Sequence, residues 1–184
     1  MQRVMICGGP GSGKSTLARI MGARTGLPVY HMDHIHYAAG WVPRPAEDKD
    51  QMTRDIHRRP FWIFEGGHSR TYADRAAHAD TLIWLDLPVG LRFARVLWRT
   101  LRYMGRTRPD MAPGCVEGFH AETLPFWRWI WRTRHTSRIK LSKMSKQPGH
   151  LVVHHLQSPA QVRHFIASLP ERKEPAHDPC PVSD

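Results

Sequence analysis

Cysteines, acids and long apolar runs are all scarce in this sequence, and each shortage excludes a class of protein. Cys7, Cys115 and Cys180 stand far apart in 184 residues, so they build neither a disulfide framework nor a thiolate metal cluster. That usage suits a reducing compartment, and a cytoplasmic location is the expectation. No apolar stretch approaches the roughly 20 residues of a membrane span. The short apolar run at the start leads straight into a glycine-rich stretch, unlike a secretory leader. Asp and Glu number 16 against 27 Lys and Arg, a formal net charge of +11. Such a balance attracts nucleotides, nucleic acids or acidic surfaces without choosing among them. No internal repeat is visible, and there is no N-K-x-D guanine motif. No helix-turn-helix, zinc or RNP pattern marks a nucleic-acid reader.

What is present is concentrated in Gly8-Gly9-Pro10-Gly11-Ser12-Gly13-Lys14-Ser15-Thr16. It fits G-x-x-x-x-G-K-[ST] at every fixed position. Val4 to Cys7 before it read as a buried strand, and Leu17, Ile20 and Met21 after it recur at helical spacing. Glycines at 8, 9, 11 and 13 let successive backbone N–H groups turn inward on phosphate oxygens. The helix that follows adds unpaired donors and its positive end. Lys14 then supplies charge at the outer phosphates, and Ser15 a ligand for Mg²⁺.

Short apolar runs mark four further strands, Val29–Met32, Phe61–Phe64, Thr81–Leu85 and Leu151–Val153. Helices are predicted over Ala46–Arg58, Val89–Met104 and Ala121–Lys143, with a last one capped by Ser158 and running to Leu169. Strands alternating with helices imply an α/β fold, a parallel sheet with helices on both faces. Residues 1–169 form one domain on this reading, and 170–184 a Pro-rich, charged tail without fixed structure.

Candidate site residues follow from the strand ends, where ligands collect in such sheets. Asp33, Glu65 and Asp86 each close an apolar run. Glu65 or Asp86 could anchor Mg²⁺ or simply end its strand, and Gly66-Gly67 favours Glu65 by permitting close backbone approach. Asp33 suits contact with an acceptor hydroxyl or a metal-bound water. His31, Asp33, His34 and His36 are weak evidence for zinc. Arg92, Arg95, Arg99, Arg102 and Arg106 form one helical stripe, with Phe93, Ala94, Leu97, Leu101 and Met104 opposite as the face expected to be buried. No acid relieves the stripe, which a polyphosphate would. Phe126, Trp127, Ile130 and Trp131 share a helical face among arginines, read as core with base stacking as the alternative.

The phosphate loop, Leu85-Asp86-Leu87-Pro88, and arginines nine and thirteen positions after Asp86 resemble the adenylate kinase group of P-loop kinases. The resemblance implies a three-layer P-loop NTPase fold of the nucleoside and nucleotide kinase kind, with a five-stranded parallel sheet and an arginine-rich lid over about residues 105–119. It implies that Arg95 and Arg99 line the ATP site, one on the adenine and one on phosphate. Glu65 through Arg70 resembles the group's acceptor segment, with Arg70 as the acceptor arginine. A narrower likeness is to bacterial topology modulation proteins, carried by His31-Met32-Asp33, Gly40-Trp41, Gly66 through Thr71 and Arg106 through Met111. Glu65 stands where the group has aspartate, no proline follows, and the insert between the second and third strands is short for a nucleoside monophosphate clamp. The expected function is transfer of the γ-phosphoryl of ATP·Mg to a nucleotide or other small acceptor, with Lys14, Asp33, Arg70 and Arg99 at the chemistry. The alternative is a nucleic-acid-binding NTPase.

Overall fold

A computed structural model describes residues 1–119, 123–146 and 149–170. The expected tail lies outside the described residues from Glu171 onward, as do Ala121 and Glu122 at the start of the helix predicted over Ala121–Lys143.

Five parallel strands form the central sheet: β1 (Arg3–Gly8), β2 (Val29–His31), β5 (Trp62–Glu65), β6 (Thr81–Leu85) and β7 (Val152–Leu156), in the order β2-β5-β1-β6-β7. Alternation along β1 explains why both faces are covered. Val4 and Ile6 point to one side, onto Leu17 and Met21 of α1 (Lys14–Thr25) and Phe165 of α8 (Pro159–Ser168). Met5 and Cys7 point to the other, where Met32, Ile56, Ala76 and Leu141 pack. Those four come from α2 (Met32–His36), α3 (Ala46–His57), α4 (Tyr72–His78) and α7 (Arg134–Ser145). Both layers are fully enclosed at β1, whose Val4 through Cys7 have no exposure. Local signals set the helix ends. Gly26, at φ 75°, closes α1 with its N–H on the Gly22 carbonyl, and the Ser158 side chain accepts from Gln161 N ahead of Pro159.

Three predictions need correction here. The second strand stops at His31, so Asp33 sits in the first turn of α2 rather than on a strand. The long helix predicted over Ala121–Lys143 is two helices, α6 (Thr123–Arg132) and α7, broken at Thr133, whose hydroxyl bonds back to the Trp129 carbonyl. Only Ile130 of the aromatic segment is buried, and Trp129 and Trp131 are about half exposed. The core reading therefore fails for Trp131. Among the described residues no helix is long and apolar enough to cross a membrane.

A buried polar chain ties α3 to α4. His57 lies fully enclosed, with Nδ1 2.5 Å from Asp74 Oδ2 and Nε2 accepting from Arg75 Nε. Burial lowers its pKa to about 4 against an ordinary 6.5, with the Asp74 hydrogen bond opposing and Arg75 assisting. The unfolded chain therefore takes up this proton first as pH falls. The associated stability is whole above pH 6.5 and is lost between 6.5 and about 4, by about 3 kcal/mol from this ring. Denaturant unfolding at several pH values checks this, and His57→Gln is expected to show a flatter profile over that window.

Candidate active site

The turn from β1 to α1 leaves donors open. Gly13, at φ 92°, occupies the cap position of α1 and offers no side chain to its first amides. Ser12 N bonds to the Gly9 carbonyl, and Lys14 Nζ reaches back 3.2 Å to the same oxygen, curling over the loop. The Ser12 hydroxyl is buried without a partner.

Across this loop lies α5 (Val89–Arg102), and it meets the loop with the side expected to face water. Arg92, Val96 and Thr100 are its buried residues, while Ala94, Trp98, Leu101 and Arg102 are exposed. The glycines make this approach possible. A Cβ on Gly9 would overlap Arg92 Nη1, one on Gly11 would overlap the Arg92 carbonyl oxygen, and one on Gly13 would lie 3.9 Å from Arg95 Nη1. The stripe accordingly divides. Arg92, Arg95 and Arg99 turn inward or lie at the margin, whereas Arg102 stacks over exposed Trp98 at 5.0 Å and Arg106 is exposed. Arg92 Nε donates to the Leu87 carbonyl. Arg99 Nε is buried without a partner, and burial, then the charge of Arg108, hold its pKa below the usual guanidinium value.

The carboxylates gather at Ser15. Glu65 is buried at the end of β5, where its Oε1 accepts from Ser15 Oγ at 3.0 Å and lies 2.8 Å from His31 Nδ1. Asp110 engages the Ser15 side chain as well. Burial pushes the Asp110 carboxyl up, but Arg108, the Ser15 hydrogen bond and Arg99 together hold it below the usual range. Asp33 keeps 47% of its side-chain surface open. Crowding that withdraws water raises its pKa first, the Glu65 charge adds to this, and Arg108 and Lys14 oppose it. Arg108 is 5% exposed and is shared among Asp110 at 3.1 Å, Glu117 at 2.5 Å and Asp33 at 4.0 Å.

Of the predicted residues, the fold thus brings Gly9, Gly11, Gly13, Lys14, Ser15, Asp33, Glu65, Arg95 and Arg99 together at the phosphate loop, with Gly8 and Ser12 in the same turn and Thr16 exposed beside it. Asp86, left open by the sequence as a metal anchor or a strand end, is taken up by structural pairs. It accepts from Arg138 Nε at 2.9 Å and lies 3.0 Å from His155 Nε2, whose ring stacks on Trp84 at 3.9 Å. It is a strut from β6 to β7 and α7. Arg70 is 65% exposed and bound to buried Asp50, on which His68 Nε2 also closes at 2.6 Å. Among the described residues, no group of three or more His, Cys, Asp or Glu is placed to hold a metal, so His31, Asp33, His34 and His36 form no zinc site.

Asp110, Arg108 and Glu117 escape residue-level reading. For Arg108 and Asp110 the sequence signal is the Arg-Thr-Arg-Pro-Asp-Met run alone, and Glu117 lies outside it. They belong to the loop over residues 105–119, which folds back on itself through Gly105 N to Glu117 O and Glu117 N to Arg106 O. This loop rests on a small hairpin of β3 (Tyr37–Ala38) and β4 (Val42–Pro43). Met111, Ala112 and buried Cys115 pack on Tyr37 and Trp41, and Trp41 Nε1 donates to the Val116 carbonyl at 2.8 Å. Trp41 adopts φ 64°, left-handed backbone that a non-glycine residue holds at a cost of about 1–2 kcal/mol.

No protein-family model matches the chain, and no curated protein matches it. Solved structures do. Shikimate kinase from Bacteroides thetaiotaomicron superposes with a TM-score of 0.51 at 16% identity, covering 90% of this chain and 94% of that one. Shikimate kinase from Acinetobacter baumannii, solved with shikimate, gives 0.50 at 16% identity over 91% of this chain and 90% of that one. At such identity the likeness is one of fold. The chain has the α/β fold of P-loop kinases, with five parallel strands between helices.

Proposed function

We propose that the protein is an ATP-dependent phosphotransferase that carries the γ-phosphoryl group to a small acceptor. The observation that carries this reading is the seating of α5 on the phosphate loop, with Arg92 and Arg95 against its glycines and Arg99 further along the helix among Arg108, Asp110 and Asp33. Two orphaned polar atoms, Ser12 Oγ and Arg99 Nε, favour an anion between these walls. The residues also fit Mg²⁺. Ser15, Glu65 and Asp110 offer hard oxygen donors, and a kinase site needs only one or two from the protein because phosphates and water complete the shell. When bound, the ion would neutralise phosphate charge and fix the phosphates against the loop.

The chain's own groups divide the remaining work. Lys14, Arg95 and Arg99 hold the phosphates, and their charge is worth most where it meets charge developing on the transferred group. Asp33 receives the acceptor hydroxyl. That oxygen bonds to the γ-phosphorus as the bridging oxygen departs with ADP, and the hydroxyl proton passes to Asp33 or solvent. The raised pKa of Asp33 makes it a better proton acceptor than an ordinary carboxylate. The loop over residues 105–119 acts as the lid, contributing Arg108 and Asp110. The finer likeness to topology modulation proteins belongs to this proposal, since the lid run and the His31-Met32-Asp33 turn that carry it both border the cleft.

The test is phosphoryl transfer from Mg·ATP across nucleosides, nucleotides and small alcohols. Arg99→Ala is expected to lower turnover by on the order of tenfold to a thousandfold, as for loss of one phosphate clamp. Unchanged kinetics in that variant would remove Arg99 from the site.

A further inference from the structure

Among the described residues, the guanidinium groups on the acceptor side of the site are already engaged. Arg70, the arginine nearest in sequence to Glu65 on that side, gives both Nε and Nη2 to Asp50, at 3.2 and 3.1 Å. Asp50 is itself buried, and His68 grips its other oxygen. The His68 hydrogen bond first, and then Arg70 against the cost of burial, hold its carboxyl below the usual range, so it stays ionised. Arg44 is spent on backbone, donating Nη1 to the carbonyls of His34, Ile35 and Tyr37. Arg108 faces three acids, Asp33, Asp110 and Glu117. Lys49 lies beside His36, whose pKa falls by burial first and by that charge second; it is one ammonium group without an acid partner among the described residues, set against the carboxylates of Asp33, Glu65 and Asp110. Lys14, Arg95 and Arg99 belong to the donor phosphates.

From this pairing we infer that the acceptor is a hydroxyl compound bearing no phosphate or carboxylate, neutral or amine-bearing, rather than a nucleoside monophosphate. The inference rests on the phosphotransferase reading and deepens its acceptor side. An anionic group entering here would meet Asp33, Glu65 and Asp110 with each nearby guanidinium already committed. To recruit Arg70 it would also have to break the Arg70–Asp50 pair, leaving that buried carboxylate with His68 alone. A hydroxyl group asks only for an acceptor, and the half-open carboxylate of Asp33 is one. The balance of the transfer is unchanged: the alcohol oxygen gains phosphorus, the β–γ bridge breaks, and the proton leaves to Asp33 or water.

The experiment separates the two layers. Mg·AMP-PNP is first titrated calorimetrically into the wild-type chain and into Lys14→Ala. If neither binds, or both bind equally, the phosphotransferase reading fails and the inference falls with it. With the donor site saturated, AMP and inorganic phosphate are titrated next. The expected result is no second site tighter than about 1 mM in the wild type. Asp50→Asn, which frees Arg70, should tighten phosphate binding by on the order of tenfold, the effect of removing one close opposing charge. A stoichiometric second site for AMP or phosphate at micromolar concentration in the wild type, abolished by Arg70→Ala or Lys49→Ala, would overturn the inference. The wild-type titration decides this even if Asp50→Asn fails to fold.

Discussion

Gly11→Ala is expected to destabilise the protein by about 2–4 kcal/mol and to abolish nucleotide binding. Gly11 holds φ 75°, where an L side chain is strained, and its new Cβ would overlap the Arg92 carbonyl oxygen. That oxygen belongs to the backbone of α5, so no rotamer change relieves the overlap, and the helix itself must move away. Gly40→Ala is the control. It has the same backbone handedness, φ 72°, with nothing within 4 Å of the added carbon, so it should cost only the backbone strain of about 1 kcal/mol. Chemical denaturation of both variants isolates the contact between loop and helix. Gly9→Ala should behave differently again, because the obstacle there is the end of the Arg92 side chain, which can swing out. Its fold should survive, with Arg92 displaced.

Lys14→Ala should reduce turnover by about 10²–10³-fold, with a smaller loss in nucleotide affinity. Many amides and three arginines remain to bind the phosphates after the change, whereas the charge meant for the outer phosphates goes. The ammonium group rests on the Gly9 carbonyl at 3.2 Å, a contact that an incoming phosphate would replace. Steady-state kinetics with Mg·ATP, set beside calorimetric affinity for Mg·AMP-PNP, separate the two effects. Unchanged turnover with a loss of affinity alone would mean that Lys14 serves binding only.

The legible part of the molecule is its local part. The glycine spacing, the apolar run before it and the helical spacing after it specify the β1–α1 turn within a few neighbouring residues. Short strands with both faces apolar announce a parallel sheet for the same reason. Glu65 is legible because a strand end followed by two glycines is a local signal. The orientation of α5 is not. Hydrophobicity alone turns Leu101 and Met104 inward, but the loop of glycines draws Arg92 and Val96 instead, and Leu101 ends 61% exposed. Asp86 carries the same strand-end signal as Glu65. Only the pairing of β6 with β7, which brings up His155, and the position of α7, which brings up Arg138, assign it to structure. Pairings between distant stretches leave no trace in a local pattern. Asp110 reaches Ser15 from the far side of the chain's midpoint, and Arg70 finds Asp50 on α3.

A crystal structure of the chain with Mg·AMP-PNP tests the central claim most directly. The account predicts the phosphates between the Gly9–Ser15 backbone and α5, with the terminal phosphate touching Lys14 and Arg99 and the metal beside Ser15 and Glu65. A nucleotide seated elsewhere, with Arg95 and Arg99 free of it, would contradict the account.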